Sequence, residues 1–546
     1  IIFLFALPIL AHAQTVPGPA DPARITPAPE IQPKFRKSSP FETKAAPDLE
    51  IPAGLSDTYF HLESVKINGL SAYSENDLDD IWTPYIGKKI SLEKLWVIAG
   101  QITERYRAQG YFLSRAYVPA QEISDGNVII EVVEGYVSEV QFSDTPPQHK
   151  IIHQLTNRIT RSRPLSAQAL ESFMLQMNDL PGQQFRAVVE PLETDVAGEV
   201  RLRVLPIESS PDAFVSFDNN GSRFLGPYQT TATYRDSLIP MQETSITALT
   251  SLPADEINYI ALRHEIPLFP DWKAFMSSSY VRSSPGASLE PFDIESQSTT
   301  LGLGMEWQPI RQWQENLRFQ FSVTGRNTNG DILDNDPQTR DRIRTFRATV
   351  DYDTADRLDG YNYLNVSLNQ GLSILGASEE GAANLSRAQA DPDFTYAAMD
   401  YTRQQALPYN MLAIGRVAGQ LASGPLYSAE EFGVGGQSFG RAYDPSEILG
   451  DHGLAAAIEL RYQGFNPWQG LCYAPFAFYD IGRVWNEDTG EASDSLSSAG
   501  LGVRLQHEVG LSGQIGLAWP LTREVDQPIY GGGDSPRILL QFGYAF

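Results

Sequence analysis

Histidine and cysteine supply most metal sites, nucleophiles and general bases, and in this chain the seven histidines are scattered and the cysteine is single. No H-E-x-x-H, C-x-x-C or phosphate-cradling Gly-Lys-Ser loop occurs. Gly531-Gly532-Gly533 falls in a predicted terminal hairpin turn with no helix behind it to receive a phosphate. Asp451-His452 invites a metal or a base, but a hydrogen bond that anchors a loop is the better reading of the pair. Cys472 allows no intrachain disulfide and reads as a small packed residue near a strand start. The expectation is a protein with no catalytic residue, no metal and no cofactor.

Composition narrows the class. A length of 546 residues exceeds one ordinary compact domain, so several modules are expected. Past the first few residues there is no apolar run long enough for a transmembrane helix, and a membrane role would need strands. The net charge of −26, with no long basic cluster, argues against nucleic acid as a partner. The chain opens with Ile1-Ile2-Phe3-Leu4-Phe5-Ala6-Leu7 and reaches Ala11-His12-Ala13, an apolar core followed by a small-x-small cleavage site. Residues 1–13 therefore read as the remainder of a signal peptide, and export is expected.

Prolines then recur at Pro17, Pro19, Pro22, Pro27, Pro29, Pro33, Pro40, Pro47 and Pro52. Such a stretch favours extended chain and nucleates no core, so 14–58 is expected to be a tether, unsuited to a long plug helix. From Tyr59 the pattern changes to a short strand, a turn at Asn68-Gly69, and a helical stretch after Ser74 and Asp77. Leu92, Leu95, Trp96, Ala99, Ile102 and Tyr106 then form one apolar helical stripe. Strands are predicted over 117–123 and 128–133, with Asp125-Gly126 as the turn. The same β-α-α-β-β order repeats from Tyr136 to residue 208, so two small α+β modules, 59–135 and 136–208, are expected in tandem.

Beyond Pro211 period-two alternation takes over. Leu317, Phe319, Phe321 and Val323 oppose Arg318, Gln320, Ser322 and Thr324; Ile458, Leu460 and Tyr462 oppose Glu459, Arg461 and Gln463. Alternation fits a soluble sandwich or a membrane barrel. Export, a length that accommodates about 16 strands of about 10 residues, and the chain end favour the barrel. In the last strand Ile538, Leu540, Phe542, Tyr544 and Phe546 share one face, an aromatic ending suited to a membrane interface. The expected fold is a transmembrane antiparallel β-barrel over 209–546, preceded by the two α+β modules.

Several motifs resemble one family. Arg107, Gly110, Tyr111, Ala116, Val118, Pro119 and Gln121 spell R-x-x-G-Y-x-x-x-x-A-x-V-P-x-Q, followed by Asp125-Gly126 and Val133-Glu134-Gly135-Tyr136. This is similar to the polypeptide-transport-associated (POTRA) domain of two-partner secretion transporters, the ShlB/FhaC/HecB or TpsB family, relatives of BamA. Leu180-Pro181-Gly182 looks like the family's second such domain, and Asp218-Asn219-Asn220-Gly221-Ser222-Arg223 with Gly226 like its first barrel strand and turn. Gly435-Gly436-Gln437-Ser438-Phe439-Gly440-Arg441-Ala442-Tyr443, then Gly450-Asp451-His452-Gly453, resembles the family's lumen loop, here about 430–455, with Ala442 where the family usually has Gly. Phe478-Tyr479-Asp480-Ile481-Gly482 looks like the F-x-D-x-G strand.

The resemblance implies that Arg441 and Asp480, with Tyr443, latch the loop to the barrel wall, since a guanidinium fork suits a carboxylate. Phe476 and Phe478 share the parity of Asp480, so either that strand is bulged or aromatics line the lumen. The family further implies an outer-membrane translocator with periplasmic POTRA domains. Its partners would be a secreted, extended TpsA-like protein, outer-membrane lipid and the barrel assembly machinery. Strand addition at a sheet edge would capture the cargo. An outer-membrane assembly factor and a passive porin or receptor share parts of this pattern.

Overall fold

The computed structural model describes residues 17–25, 41–42, 57–123, 125–143, 149–192, 196–207, 212–333, 336–463, 465–468, 470–487 and 493–546. The signal-peptide remainder expected over 1–13 lies outside them.

The first module has a three-stranded sheet ordered Ser64–Asn68, Asn127–Val133, Arg115–Tyr117, with a two-stranded ribbon of Tyr59–His61 and Lys89–Ser91. Helix α1 (Leu92–Ala108) buries Leu95, Ile98, Ala99, Ile102 and Tyr106 against it. The stretch after Ser74 is three successive 3-10 turns rather than one α-helix, although the Ser74–Asp77 capping box is formed. Pro84, inside the third turn, cannot donate to a continuing helix. The strand expected over 117–123 stops at Tyr117, ahead of Pro119. Gln121 then replaces the missing backbone: its amide donates to the Ile129 carbonyl at 2.7 Å and accepts from the Ile129 N–H at 2.8 Å. The R-x-x-G-Y sequence is a helix terminus. Gly110 sits at φ 86° beyond the end of α1, and Tyr111 N–H closes on the Tyr106 carbonyl at 2.9 Å, a Schellman pattern. Arg107 contributes only an exposed pair with Glu104.

Glu134 is the keystone of this module. It accepts from the Ser71 and Ala72 N–H groups at 2.8 and 2.9 Å and from the Tyr106 hydroxyl at 2.7 Å.

In the second module, helices α2 (Lys150–Thr160) and α3 (Ala167–Asn178) cover a sheet of Gln184–Pro191, Glu199–Ile207 and Tyr136–Phe142. A fourth strand is added by Phe41–Glu42, which runs parallel to Ala187 and Val188. The module is clamped to the near end of the barrel. Arg158 makes a bidentate pair with Asp271 (3.0 and 2.9 Å), Arg311 another with Asp179 (2.6 and 2.8 Å), and Met241 enters the module's core.

The barrel runs from Asp212 to Ala545. Of the strands in its ladder among the described residues, Phe465–Trp468 is a four-residue run paired with the start of Leu471–Trp485, which leaves sixteen that span. Closure joins Asp212–Asp218 to Arg537–Ala545. Outward positions are apolar and exposed, including Leu301, Leu303, Phe321, Val323, Ile458, Phe542, Tyr544 and Phe546, as lipid-facing residues must be. Cys472 is exposed rather than packed.

Part of the proline-rich stretch departs from the tether expected over 14–58. Pro17–Ile25 forms two 3-10 turns, Gly18–Ala20 and Pro22–Arg24, seated inside the barrel with Pro19, Ala20 and Pro22 buried. Prolines at the first or second position start each turn without leaving an N–H unpaired, so the composition that forbids a long helix permits short turns.

The setting of Glu134 gives a test. Burial favours its neutral form, but the hydrogen bonds from Ala72, Ser71 and Tyr106 outweigh that and hold its carboxyl below the usual range. A depressed folded-state pKa contributes stability that is present above the unfolded value, about 4.3, and is lost as pH falls through the lower folded value. Hydrogen exchange at the Ser71 and Ala72 amides of the full chain is therefore expected to quicken as pH falls below about 4 relative to intrinsic rates. In E134Q, which keeps the acceptor oxygen but not the charge, that protection should already be reduced at neutral pH by about 1 kcal/mol, the difference between a charge-assisted and a neutral bond.

Candidate functional site

The loop between the strands Met411–Ala422 and His452–Tyr462 turns back into the lumen instead of standing outside. A short ribbon, Phe432–Val434 with Ile448–Gly450, carries its tip, Gly435 to Tyr443. Inside the ribbon Gly435 and Gly436 have φ of 129° and 86°, and a Cβ at Gly435 would meet the Asp444 carbonyl oxygen at 2.1 Å. Gly440 supplies the left-handed turn at the tip with φ 83°. The positive φ is thus spent one residue before Arg441, and Ala442 is accommodated without one.

Arg441 lies between two carboxylates. Its Nε and Nη2 donate to the two oxygens of Asp480 at 3.2 and 3.1 Å, and Nη1 donates to Glu459 at 2.8 Å. The Gly440 and Arg441 N–H groups and the Ser498 hydroxyl also donate to Asp480, at 3.2, 3.1 and 3.1 Å. Asp480 is 0 % exposed, so these donors stand in for its water. Glu459 is shared with Arg461 at 2.8 Å and Arg504 at 3.2 Å. The guanidinium of Arg441 stacks 3.6 Å from the Phe478 ring centroid, and Arg504 lies over Phe476 at 5.0 Å.

The parity question at Phe476 and Phe478 is answered by register. Residues 471–484 pair without a break to the following strand, so no bulge intervenes and both rings face inward. The lumen is not wet there, because the loop fills it: Val434, Phe439, Ala442 and Tyr443 cluster with Phe476, Phe478 and Leu496. Glycines make the room. A Cβ on Gly500 would come within 2.4 Å of Phe478, and one on Gly482 within 2.5 Å of Val434. Gly453 is held open in the same way for Phe432.

Tyr443 is fully buried and its hydroxyl donates to the Arg523 carbonyl at 3.0 Å, so it braces the tip rather than the ion pair. Asp451, between the short ribbon and the strand His452–Tyr462, belongs to another cluster: it binds both Nη atoms of Arg387 and accepts from the Leu426 and Glu487 N–H groups at 2.8 and 3.1 Å. His452 pairs with Glu487 at 2.6 Å. The structure therefore brings together Arg441, Asp480, Phe478, Gly440 and Gly482. Asp451 and Gly453 stand at the loop's return, while Arg107, Gly110, Tyr111, Pro119 and Gln121 stand far off in the first module.

A second ionic cluster has no counterpart in the sequence reading. Asp444, just past the tip, accepts from Arg223 Nε at 2.8 Å and from Arg537 Nη1 at 2.7 Å, and Arg223 also binds Glu447. Arg223 follows the first barrel strand and Arg537 begins the last, so the loop is tied to both sides of the seam. Arg537 also donates to the Gly221 carbonyl at 2.8 Å.

The N-terminal turns complete the filling. Arg24 reaches the Glu431 carbonyl at 2.9 Å, the Ser446 hydroxyl at 3.2 Å and the Ser428 carbonyl. Asp21 accepts from the Ser428 hydroxyl at 2.8 Å, and Ser222 donates to the Pro19 carbonyl at 2.6 Å. Ile25 packs on Leu225, Leu249, Ile257 and Val281 of the inner wall. The site is thus a barrel interior closed by two segments of its own chain, the loop held by ion pairs and an apolar cluster and the N-terminal turns by polar bonds together with Ile25.

Comparison with known proteins places this architecture. Residues 60–135 match the family model of the POTRA domain, ShlB-type, and 199–505 that of the haemolysin secretion/activation protein ShlB/FhaC/HecB. The heme/hemopexin transporter protein HuxB of Haemophilus influenzae is 23% identical over 463 residues, 83% of this chain and 81% of that protein. The outer membrane transporter CdiB of Dickeya dadantii is 22% identical over 508 residues, 87% and 85% of the two chains. Among solved structures, CdiB from Escherichia coli superposes with a TM-score of 0.73 at 17% identity, over 92% of this chain and 94% of that one. BamA from Haemophilus ducreyi gives 0.51 at 14%, over 89% and 100%. These two likenesses are of fold. The match over most of the barrel, loop included, and over the first module establishes that this chain belongs to the ShlB/FhaC/HecB family of outer-membrane secretion transporters, its POTRA domains in the periplasm.

Proposed function

We propose that this protein captures a secreted, unfolded partner polypeptide on its POTRA domains and passes it outward through the barrel once the lumen loop and the Pro17–Ile25 segment move aside. The observation that carries the reading is the hold on Arg441. A loop whose charged side chains are each matched to a partner on the wall, Arg441 with Asp480 and Glu459 and Asp444 with Arg223 and Arg537, has discrete polar attachments beside its apolar packing, and water or a passing chain can replace them. Capture by strand addition finds support in the second module, where Phe41–Glu42 already adds a parallel strand at Ala187 and Val188. An extended cargo segment on that edge displaces Phe41–Glu42, which leads in sequence back to the hook at Arg24. Arrival of cargo is in this way linked to clearing of the pore. Folding of the cargo outside supplies the direction.

Replacing Arg441 by Ala leaves Asp480 and Glu459 facing the lumen with one partner fewer, a change worth about 3–5 kcal/mol where a buried pair is broken. Secretion of the partner protein is expected to fall at least tenfold while heat-modifiable migration, the signature of a closed barrel, is retained. R441K keeps the charge but loses the fork and should be intermediate. Export at the wild-type level in R441A would remove the loop from the mechanism, and a drop in the levels of other outer-membrane barrels would point to assembly rather than secretion.

The N-terminal hook is tested by conductance. R24A removes three hydrogen bonds from a charged donor to the loop, each worth about 1.5–3 kcal/mol. In planar bilayers the purified variant should open more than tenfold more often than wild type. Equal open probability would mean that Pro17–Ile25 does not obstruct the pore.

A further inference from the structure

The strand Asp336–Ala355 runs from the end of the barrel remote from the POTRA domains back toward them. Its outward face below the rim is apolar: Phe346 is exposed, and Leu301, Leu303, Val323 and Leu368 on neighbouring strands are exposed beside it. Directly above, the next outward positions on the same strand are Arg344, Arg342 and Arg340, while Asp341, Ile343 and Thr345 between them face inward and are buried. Alternate residues of a strand lie about 7 Å apart. At a tilt of about 40° Arg344 therefore stands roughly 5 Å above the apolar belt, at the depth of the outer-leaflet headgroups.

These guanidiniums are aimed. Arg344 Nη1 donates to the Asn327 side-chain oxygen at 3.0 Å and to the Arg326 and Ile343 carbonyls at 3.1 and 2.9 Å, and its Nε to the Leu375 carbonyl at 3.3 Å. Arg342 Nη2 donates to the Asn329 side-chain oxygen at 2.9 Å, and its Nη1 to the Thr328 and Asp341 carbonyls at 3.2 and 3.0 Å. Arg340 is neutralised by Asp331. Among the described residues no carboxylate pairs with Arg342 or Arg344; both are held by neutral acceptors and keep their charge for an external anion. On a protein of net charge −26, stacked arginines fixed at the upper edge of a lipid belt have no use in solubility. Arg282, also outward near this end, differs: Glu295 binds it at 3.0 Å.

We propose that Arg342 and Arg344 form a binding site for the phosphate groups of a phosphorylated glycolipid of the outer leaflet, whose acyl chains lie against Phe346, Leu303 and Val323. Arg344 Nη2 and Arg342 Nε make none of these bonds and remain to donate to phosphate oxygens, while the cross-strand asparagines orient both guanidiniums before the lipid arrives.

Native mass spectrometry of the full chain in detergent tests this with lipid A as the probe. Bisphosphorylated lipid A should stay bound to wild type and to R282Q, bind at least about tenfold more weakly to R342Q/R344Q, and bind with intermediate strength to R342K/R344K. On the wild-type protein, dephosphorylated lipid A should bind at least about tenfold more weakly than the bisphosphorylated form, a comparison that needs no variant to fold. Millimolar inorganic phosphate should not displace the lipid. Equal binding of the two lipid forms, or of bisphosphorylated lipid A to wild type and R342Q/R344Q, would overturn the site. Full displacement by inorganic phosphate would make it a free-anion site and overturn the lipid assignment.

Discussion

In hydrocarbon every backbone N–H and C=O must find a partner within the protein, and a sheet can meet that condition only by closing on itself. Here closure depends on a short seam, five residue pairs between Asp212–Asp218 and Arg537–Ala545. Two devices lengthen it. At one end Phe546 and Ala213 exchange hydrogen bonds of 2.9 and 3.1 Å. At the other Asn219 continues the ladder with its side chain, accepting from Leu540 N–H and donating to the Ile538 carbonyl, both at 2.7 Å. Asn219 and Gln121 are the same solution in two places, a carboxamide standing in for a peptide where the strand can go no further.

The lumen follows from that closure. A sixteen-stranded barrel is wide enough to conduct, and the chain fills it with a loop and an N-terminal segment that carry charge inward. Buried ions are expensive, and a single partner seldom repays their desolvation. Asp480 therefore collects five donors, and Glu459 serves three arginines. The second cluster, Asp444 and Glu447 with Arg223 and Arg537, makes the loop a clasp across the seam. Loop position and seam integrity are consequently one energetic unit, since moving the loop uncovers Arg223 and Arg537 beside the shortest pairing between spanning strands among the described residues.

Much of this was legible in the residues. Alternation assigns Phe319, Phe321, Ile458 and Leu460 to the lipid face because lipid imposes a uniform demand on every second position, and Arg441 with Asp480 was accessible through motif resemblance. At Phe476 and Phe478 the same rule leaves a bulge and inward-facing aromatics open, and the unbroken register decides for the second; the facing glycines, Gly500 and Gly502, are the trace in sequence that large rings turn inward. Arg223 with Asp444, Arg537 with Asp444 and Arg24 with Glu431 are separated by 221, 93 and 407 positions. Partners so distant leave no spacing to read, and only the fold brings them together.

The proline-rich segment shows how composition can exclude one structure and permit another of similar use. A long helix propagates cooperatively once its first turn has formed, so a helical plug enters and leaves a pore largely as a unit. Prolines at 17, 19 and 22 prevent that propagation and yield two separate turns, each with its own short-range bonds. Because proline arrives with φ already set, ordering the segment in the lumen costs less conformational entropy than it would for a flexible chain. The hold then resides in a few side chains, Asp21 and Arg24 above all, rather than in a helix axis. Each turn is thus held by its own small set of hydrogen bonds, a form of closure suited to the passage of a partner chain proposed above.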